Sequence, residues 1–109
     1  MAEFQLCPKF EKAFELLGKR WNGLIIRTLL DGPKRFSEIA EIIPQLSDRV
    51  LTERFKELEE NGIIERTVYI GFPVKVEYKL TQKGAALKNV LDEVEKWANT
   101  WVCTKYGST

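Results

Sequence analysis

Residues 47–62, Ser-Asp-Arg-Val-Leu-Thr-Glu-Arg-Phe-Lys-Glu-Leu-Glu-Glu-Asn-Gly, mark their own start and stop. Ser47 is a preferred N-cap, because its hydroxyl accepts from a backbone N–H that has no helical partner. Gly62 suits the left-handed position that ends a helix. Val50, Leu51, Phe55 and Leu58 recur at helical spacing and form one narrow apolar stripe. The opposite face leads with Ser47, Asp48, Arg49, Thr52, Glu53 and Lys56, side chains able to meet phosphates and base edges. Taken alone, these residues also fit an ordinary amphipathic helix with a solvated face, so the neighbouring segments decide between the two readings.

Upstream, Lys34-Arg35-Phe36 reads as a short extended segment. Ser37 reads as the cap of a short helix with Ile39, Ala40, Ile42 and Ile43 apolar. Pro44 ends it, since the residue before proline is pushed out of the α region. Pro44-Gln45-Leu46 is then a tight turn into the helix at Ser47, which gives a helix-turn-helix. Downstream, 63–70 is rich in β-branched residues, Gly71-Phe72-Pro73 is a turn, and 74–80 alternates apolar and charged residues with a period of two. A hairpin there is a wing. Its tip is expected to present Arg66, Lys75 and the backbone near Gly71 to DNA; the alternative is a hairpin that only covers the core.

Two helices precede this unit. Pro8 opens the first, about Lys9–Leu17, with Phe10, Ala13, Phe14 and Leu17 apolar. The second, about Lys19–Leu30, has the broad apolar surface of a central helix and ends at Asp31-Gly32-Pro33. After the hairpin, Thr81 caps a last helix to about Val102. Leu87, Val90, Leu91, Val94, Trp97, Ala98 and Trp101 repeat along it at steps of three and four. A domain this small already has its core in the earlier helices. A terminal stripe with two tryptophans is therefore expected to be buried against a second copy, the alternative being that it folds back on its own domain. The expected architecture is mainly α with a small β-hairpin: a single winged helix-turn-helix domain, 1–109, with dimerisation through 7–17 and 82–102.

Charge supports the same placement. From Lys19 to Lys56 there are eight Lys and Arg against five acids, and from Glu57 to Thr100 six against eight. The basic excess lies around the helix-turn-helix. With two cysteines and no histidine, a four-ligand structural zinc site and His-dependent nucleophilic catalysis are both excluded. Neither an enzyme nor a bound cofactor is expected. No apolar run approaches the ~20 residues that span a bilayer, and the N-terminus lacks the pattern of a signal peptide, so a cytoplasmic protein is expected.

Several runs together resemble the HxlR family, MarR-related winged-helix transcription regulators of bacteria. They are Cys7-Pro8-Lys9, Leu17-Gly18-Lys19-Arg20-Trp21, the stretch Leu30 to Ile39 (LDGPKRFSEI), Leu51-Thr52-Glu53-Arg54 with Leu58 to Gly62, and Val76 to Gly84 (VEYKLTQKG). The likeness runs from about Cys7 to Trp97. In CPKF, LLGKRWNGLI and DGPKRF it is closer to members that are dimeric repressors sensing quinones and other thiol-reactive electrophiles. That resemblance implies binding to a double-stranded DNA operator, a homodimer, and control by an electrophile or oxidant. It makes Cys7 the sensing cysteine. It places Cys103 where some members carry a second cysteine that pairs with the first across the dimer.

On these grounds the major-groove candidates are Ser47, Asp48, Arg49, Thr52, Glu53 and Lys56. Lys34, Arg35, Arg54, Arg66 and Lys75 are candidates for phosphate or wing contacts, with Arg54 alternatively paired to a neighbouring carboxylate. The expected dimer face is Phe10, Phe14, Leu87, Val90, Leu91, Val94, Trp97 and Trp101. Cys7 is expected at a helix N-terminus, whose unpaired N–H groups favour an anionic thiolate, with Lys9 and Lys12 nearby. Two other readings stay open: the same fold answering a non-covalent ligand in a pocket lined by Trp21, and a winged-helix module that contacts only protein.

Overall fold

The structure, a computed structural model, describes residues 7–102. In chain order its elements are α1 (Pro8–Leu17), α2 (Asn22–Leu29), α3 (Phe36–Ile42), α4 (Asp48–Glu60), β1 (Ile64–Tyr69), β2 (Lys75–Leu80), α5 (Gln82–Ala85) and α6 (Lys88–Trp101). This is the winged helix-turn-helix arrangement, mainly α with one antiparallel hairpin. No helix among the described residues is long and apolar enough to cross a membrane.

The core lies between α2, α3 and α4. Ile25, Ile26 and Leu29 meet Ile39, Ile43 and Leu46 on one side and Leu51, Phe55 and Leu58 on the other, with Ile63 and Ile64 closing the end. Each contributes because its helix offers one apolar stripe and the others complete the enclosure. α3 and α4 behave as expected at their junction. Ile43 leaves the helical region just before Pro44, and the Ser47 hydroxyl accepts from the Val50 N–H at 3.2 Å. At the far end Gly62 has φ +73°, so the left-handed stop falls where the glycine stands.

Three boundaries differ from the sequence expectation. The helix expected from Lys19 begins at Asn22, because Trp21 sits at φ +81°. The reversal from α1 to α2 needs a turn there. Asn22, fully buried, fixes that turn by donating its side-chain N–H to the Leu16 carbonyl at 2.8 Å. The cap of α3 is Arg35, whose N–H donates to the Glu38 carboxylate at 2.8 Å, and Ser37 lies inside the helix. Finally, the long C-terminal helix is two pieces. α5 ends at Ala85, and α6 starts after Leu87.

The break between α5 and α6 follows from how closely Gly84 approaches the main chain. A Cβ on Gly84 would lie 2.2 Å from the Ile63 carbonyl oxygen. Around that contact, the Thr81 N–H donates to the Ile63 carbonyl at 3.0 Å and the Thr81 hydroxyl to the Gly62 carbonyl at 2.5 Å. The Gly84 N–H donates back to the Thr81 hydroxyl at 3.1 Å, and the Lys83 ammonium donates to the Asn61 carbonyl at 2.7 Å. The run Leu80-Thr81-Gln82-Lys83-Gly84 thus clamps the turn that follows α4, satisfying the carbonyls of Asn61, Gly62 and Ile63.

The hairpin pairs Ile64 with Leu80 and Tyr69 with Lys75. Lys34 adds a single bridge on its other edge. The Lys34 N–H donates to the Tyr78 carbonyl at 2.9 Å, and the Tyr78 N–H donates to the Lys34 carbonyl at 2.8 Å. Phe36, Phe55 and Tyr78 stack in sequence, with ring centroids 5.7 Å and 4.4 Å apart, so α3, α4 and β2 share one aromatic seam.

A polar hub fixes α4 from the other side. Glu57 accepts from Lys19 at 2.7 Å, Arg54 at 3.2 Å and Asn22 at 3.3 Å. Lys19 foremost, then Asn22 and Arg54, hold the Glu57 carboxyl below its ordinary value of 4.5 against the opposing effect of burial. A depressed carboxyl stabilises the fold above its unfolded value, and that contribution is lost as pH falls through the folded value. Glu57→Gln should therefore be less stable than wild type near neutral pH, with the gap closing as pH drops below 4.5. Urea melts across that range would instead run parallel if Glu57 were uncoupled. Gly84→Ala should cost about 1–3 kcal/mol in the same melts, through overpacking against a backbone carbonyl; an unchanged midpoint would contradict the close approach.

Candidate nucleic-acid interface, thiol and unpartnered face

α4 is rotated by its core stripe. With Leu51, Phe55 and Leu58 buried, Ser47, Asp48, Arg49, Thr52, Glu53 and Lys56 are all exposed on the other side. The six expected major-groove residues are thus brought onto one solvent-facing surface. Thr52 donates its hydroxyl to the Asp48 carbonyl at 2.8 Å. Arg49 and Glu53 form an i,i+4 pair at 3.6 Å, so Glu53 restrains Arg49 within the helix.

The expected backbone contacts divide. Arg35, Arg66 and Lys75 are exposed and form no ion pair among the described residues. Arg66 is not at the hairpin tip: it stands opposite Tyr78, and with Thr52 and Lys56 it lines the groove between α4 and the hairpin. Lys34 is half-buried beside β2. Arg54 takes the alternative role: its side chain is only 16% exposed and pairs with Glu57 and, at 3.8 Å, with Glu53. The turn itself, Ile70 to Val74, with a cis Phe72–Pro73 peptide, is apolar and exposed instead of basic.

Cys7 is exposed and caps α1, its carbonyl accepting from the Glu11 N–H at 3.0 Å. Cys103 lies outside the described residues. Phe10 and Phe14 follow Cys7 at three and seven residues, on the same side of α1, with their rings 4.9 Å apart and both exposed. On α6, Val90, Val94, Trp97 and Trp101 are also exposed, the last two by 61% and 72%. Leu87 and Leu91 differ. They are partly buried against the core of their own domain, so the eight apolar residues do not share one face.

α6 is tied to the body by charge. Arg27 of α2 donates to Asp92 at 2.9 Å and also pairs with Glu95, while Lys88 reaches Asp92 at 2.8 Å. Lys88 first, then Arg27, hold the Asp92 carboxyl below its ordinary range. Trp21 is half-buried against the core, with the Arg20 guanidinium 4.5 Å from its ring centroid. The apolar cleft next to α1 is lined by Leu16, Leu17, Ile63 and Leu87.

Sequence reasoning did not single out Glu57 and Asn22, or the apolar turn. A buried Asn leaves no periodic signal, but Ile70, Phe72 and Val74 around a Gly-Pro turn were visible as apolar residues where turns are usually polar.

Comparison with known proteins agrees with this geometry. The HxlR-like helix-turn-helix family matches residues 16–106. The HTH-type transcriptional regulator YodB of Bacillus subtilis (strain 168) is 61% identical over 94 residues, 86% of this chain and 84% of YodB. The solved reduced form of the transcriptional regulator YodB from B. subtilis superimposes with TM-score 0.83 at 56% identity, covering 95% of this chain and all of that one. The quinone-bound YodB structure superimposes with TM-score 0.78, also at 56% identity, covering 88% and 100%. The chain belongs to the HxlR-like helix-turn-helix family: it is a transcriptional regulator related to quinone- and redox-responsive regulators, and not an enzyme.

Proposed function

We propose that the chain is a cytoplasmic, homodimeric repressor of detoxification genes that leaves a palindromic operator when Cys7 is alkylated or oxidised. The observation that carries this reading is the position of Cys7 at one end of the unpartnered stripe of Phe10 and Phe14, close in sequence to nothing that binds DNA. A thiol placed there meets a second copy before it meets an operator.

The chemistry is that of a thiolate nucleophile. Addition to a quinone ring forms a carbon–sulfur bond; one oxygen of the ring then takes a proton from solvent and the other takes the proton that leaves the attacked carbon, which gives a substituted hydroquinone. With an oxidant such as diamide, two thiols lose two electrons and two protons to the reagent and form a disulfide. Cys103 of the partner subunit is the proposed second thiol. The quinone-bound structure of YodB supports an electrophile as the signal.

Transmission is rigid-body. Two α4 helices must enter successive major grooves roughly 34 Å apart. An adduct at Cys7, at the α1 end of the proposed dimer face, changes how the two subunits sit and spoils that spacing. On the DNA, Ser47, Asp48, Arg49, Thr52, Glu53 and Lys56 meet base edges or adjoining phosphates. Lys34, Arg35, Arg66 and Lys75 meet the backbone, with Arg54 holding Glu53 and Glu57 in place. The dimer face is Phe10, Phe14, Val90, Val94, Trp97 and Trp101, with Leu87 and Leu91 supporting it from behind.

Mobility shifts on the DNA upstream of the gene test the reading. Wild type should bind and be released by quinone; Cys7→Ser should bind equally and stay bound. A Cys7→Ser protein that still releases would remove Cys7 as the sensor. Trp97→Glu should sediment as a monomer and lose about 100-fold or more in operator affinity, because two-point attachment is gone. A dimeric Trp97→Glu protein with full affinity would mean that the α6 stripe is not the interface.

A further inference from the structure

The most exposed apolar residues of the described chain are in the turn of the hairpin. Phe72 is fully exposed and Ile70 is 95% exposed, with Val74 and Tyr69 more than half exposed beside them. Of the two basic residues expected at the tip only Lys75 adjoins the turn, and an apolar tip of this kind on a small protein marks a contact surface.

Three observations point to what covers it. First, the hairpin is fixed to α4. Phe55 stacks on Tyr78 at 4.4 Å, and Ile63 and Ile64 are buried in the core directly after the helix. Whatever meets the exposed face of α4 has the hairpin standing beside it. Second, the strands of the hairpin carry exposed cations beside the paired Glu65 and Lys79 and the half-buried Glu77. Arg66 and Lys75 are exposed and form no ion pair among the described residues, so the tip is apolar between groups suited to phosphates. Third, the reach fits. Six-residue strands at ~3.4 Å per residue extend roughly 20 Å, close to the ~17 Å, half of a ~34 Å turn, that separates a major groove from the next minor groove.

We propose that Phe72, backed by Ile70, is a minor-groove wedge: it enters a base step flanking each half-site, partly unstacks it, and favours flexible pyrimidine–purine steps there. Phe, Ile and Pro are side chains that insert in this way, and the cost of unstacking is least at steps such as TpA. The wedge reads sequence through deformability and makes no hydrogen bond to a base. This inference rests on the DNA-binding reading above and adds a specificity element to it.

The test uses the full chain and a duplex selected by wild type from a randomised pool, with the flanking step then set to TpA or ApA. Affinity is measured by fluorescence anisotropy, and bending by energy transfer between the duplex ends. Phe72→Ala should bind the TpA duplex about tenfold more weakly, lose the preference for TpA over ApA, and bend the DNA less. Phe72→Leu should retain most of all three. The salt dependence should be the same for both variants, because no phosphate contact is removed. Phe72 touches nothing in the core, so folding is not at stake. Unchanged affinity, preference and bend in Phe72→Ala would overturn the wedge while leaving DNA binding intact. Loss of dimer in sedimentation of that variant would place the tip against a second copy and also overturn it. Failure of wild type to select any duplex at low salt would sink the DNA-binding reading itself, and the wedge with it.

Discussion

One-sided burial of α4 decides most of what this molecule can do. Leu51, Phe55 and Leu58 leave almost no freedom of rotation about the helix axis, because α2, α3 and the start of β1 close around them. Once that stripe is inside, Arg49, Thr52, Glu53 and Lys56 have to face out. Two further restraints remove the freedoms that remain. Glu57, joined to Lys19, Asn22 and Arg54, fixes the flank of the helix to the turn between α1 and α2. Thr81, Lys83 and Gly84 fix its C-terminal end through the carbonyls of Asn61, Gly62 and Ile63. A helix held at its flank, its end and its core face can present side chains in a constant register, as readout of base edges requires.

The other half of the molecule is incomplete in the opposite sense. Phe10 and Phe14 of α1 and Val90 and Val94 of α6 are exposed, and Trp97 and Trp101 remain largely in solvent. Leu87 and Leu91 pack this end of the chain against the core, and the charge tie between Arg27 and the pair Asp92 and Glu95 lies beside them. Exposed ion pairs of that kind add little stability, since water and salt screen them. Their value is orientation. They set the angle at which the tryptophan stripe is offered, and with it the geometry any second copy must accept.

The sequence spelled out those elements whose determinants are local. Ser47, Gly62, Pro44 and Thr81 each act on a neighbouring N–H or on a φ angle, so α4, its stop, the turn before it and the start of the C-terminal segment fell where expected. The alternation of Val74 to Leu80 carried the second strand. What was not legible depended on contacts distant in the chain. The turn at Trp21 follows from Asn22 reaching Leu16 and Glu57, which no periodicity reports. The kink after Ala85 follows from Gly84 lying against the Ile63 carbonyl, twenty-one residues away in sequence. Leu87 and Leu91 belonged to the same helical stripe as Val94 and Trp97 on paper. The kink and the packing of α6 on α2 turn those two leucines inward and the rest outward.

That division bears on how, in the proposed reading, a signal at Cys7 would reach DNA. Between the thiol and the exposed face of α4 lie α1, the Lys19 to Asn22 turn and the Glu57 hub, linked by the Asn22 bond to the Leu16 carbonyl and by the contacts of Lys19 and Asn22 with Glu57. Phe10, Phe14, Trp97 and Trp101 are not enclosed by the described residues. In the proposed dimer, with α4 held in place by this packing, a change at Cys7 would act by moving whole domains relative to each other.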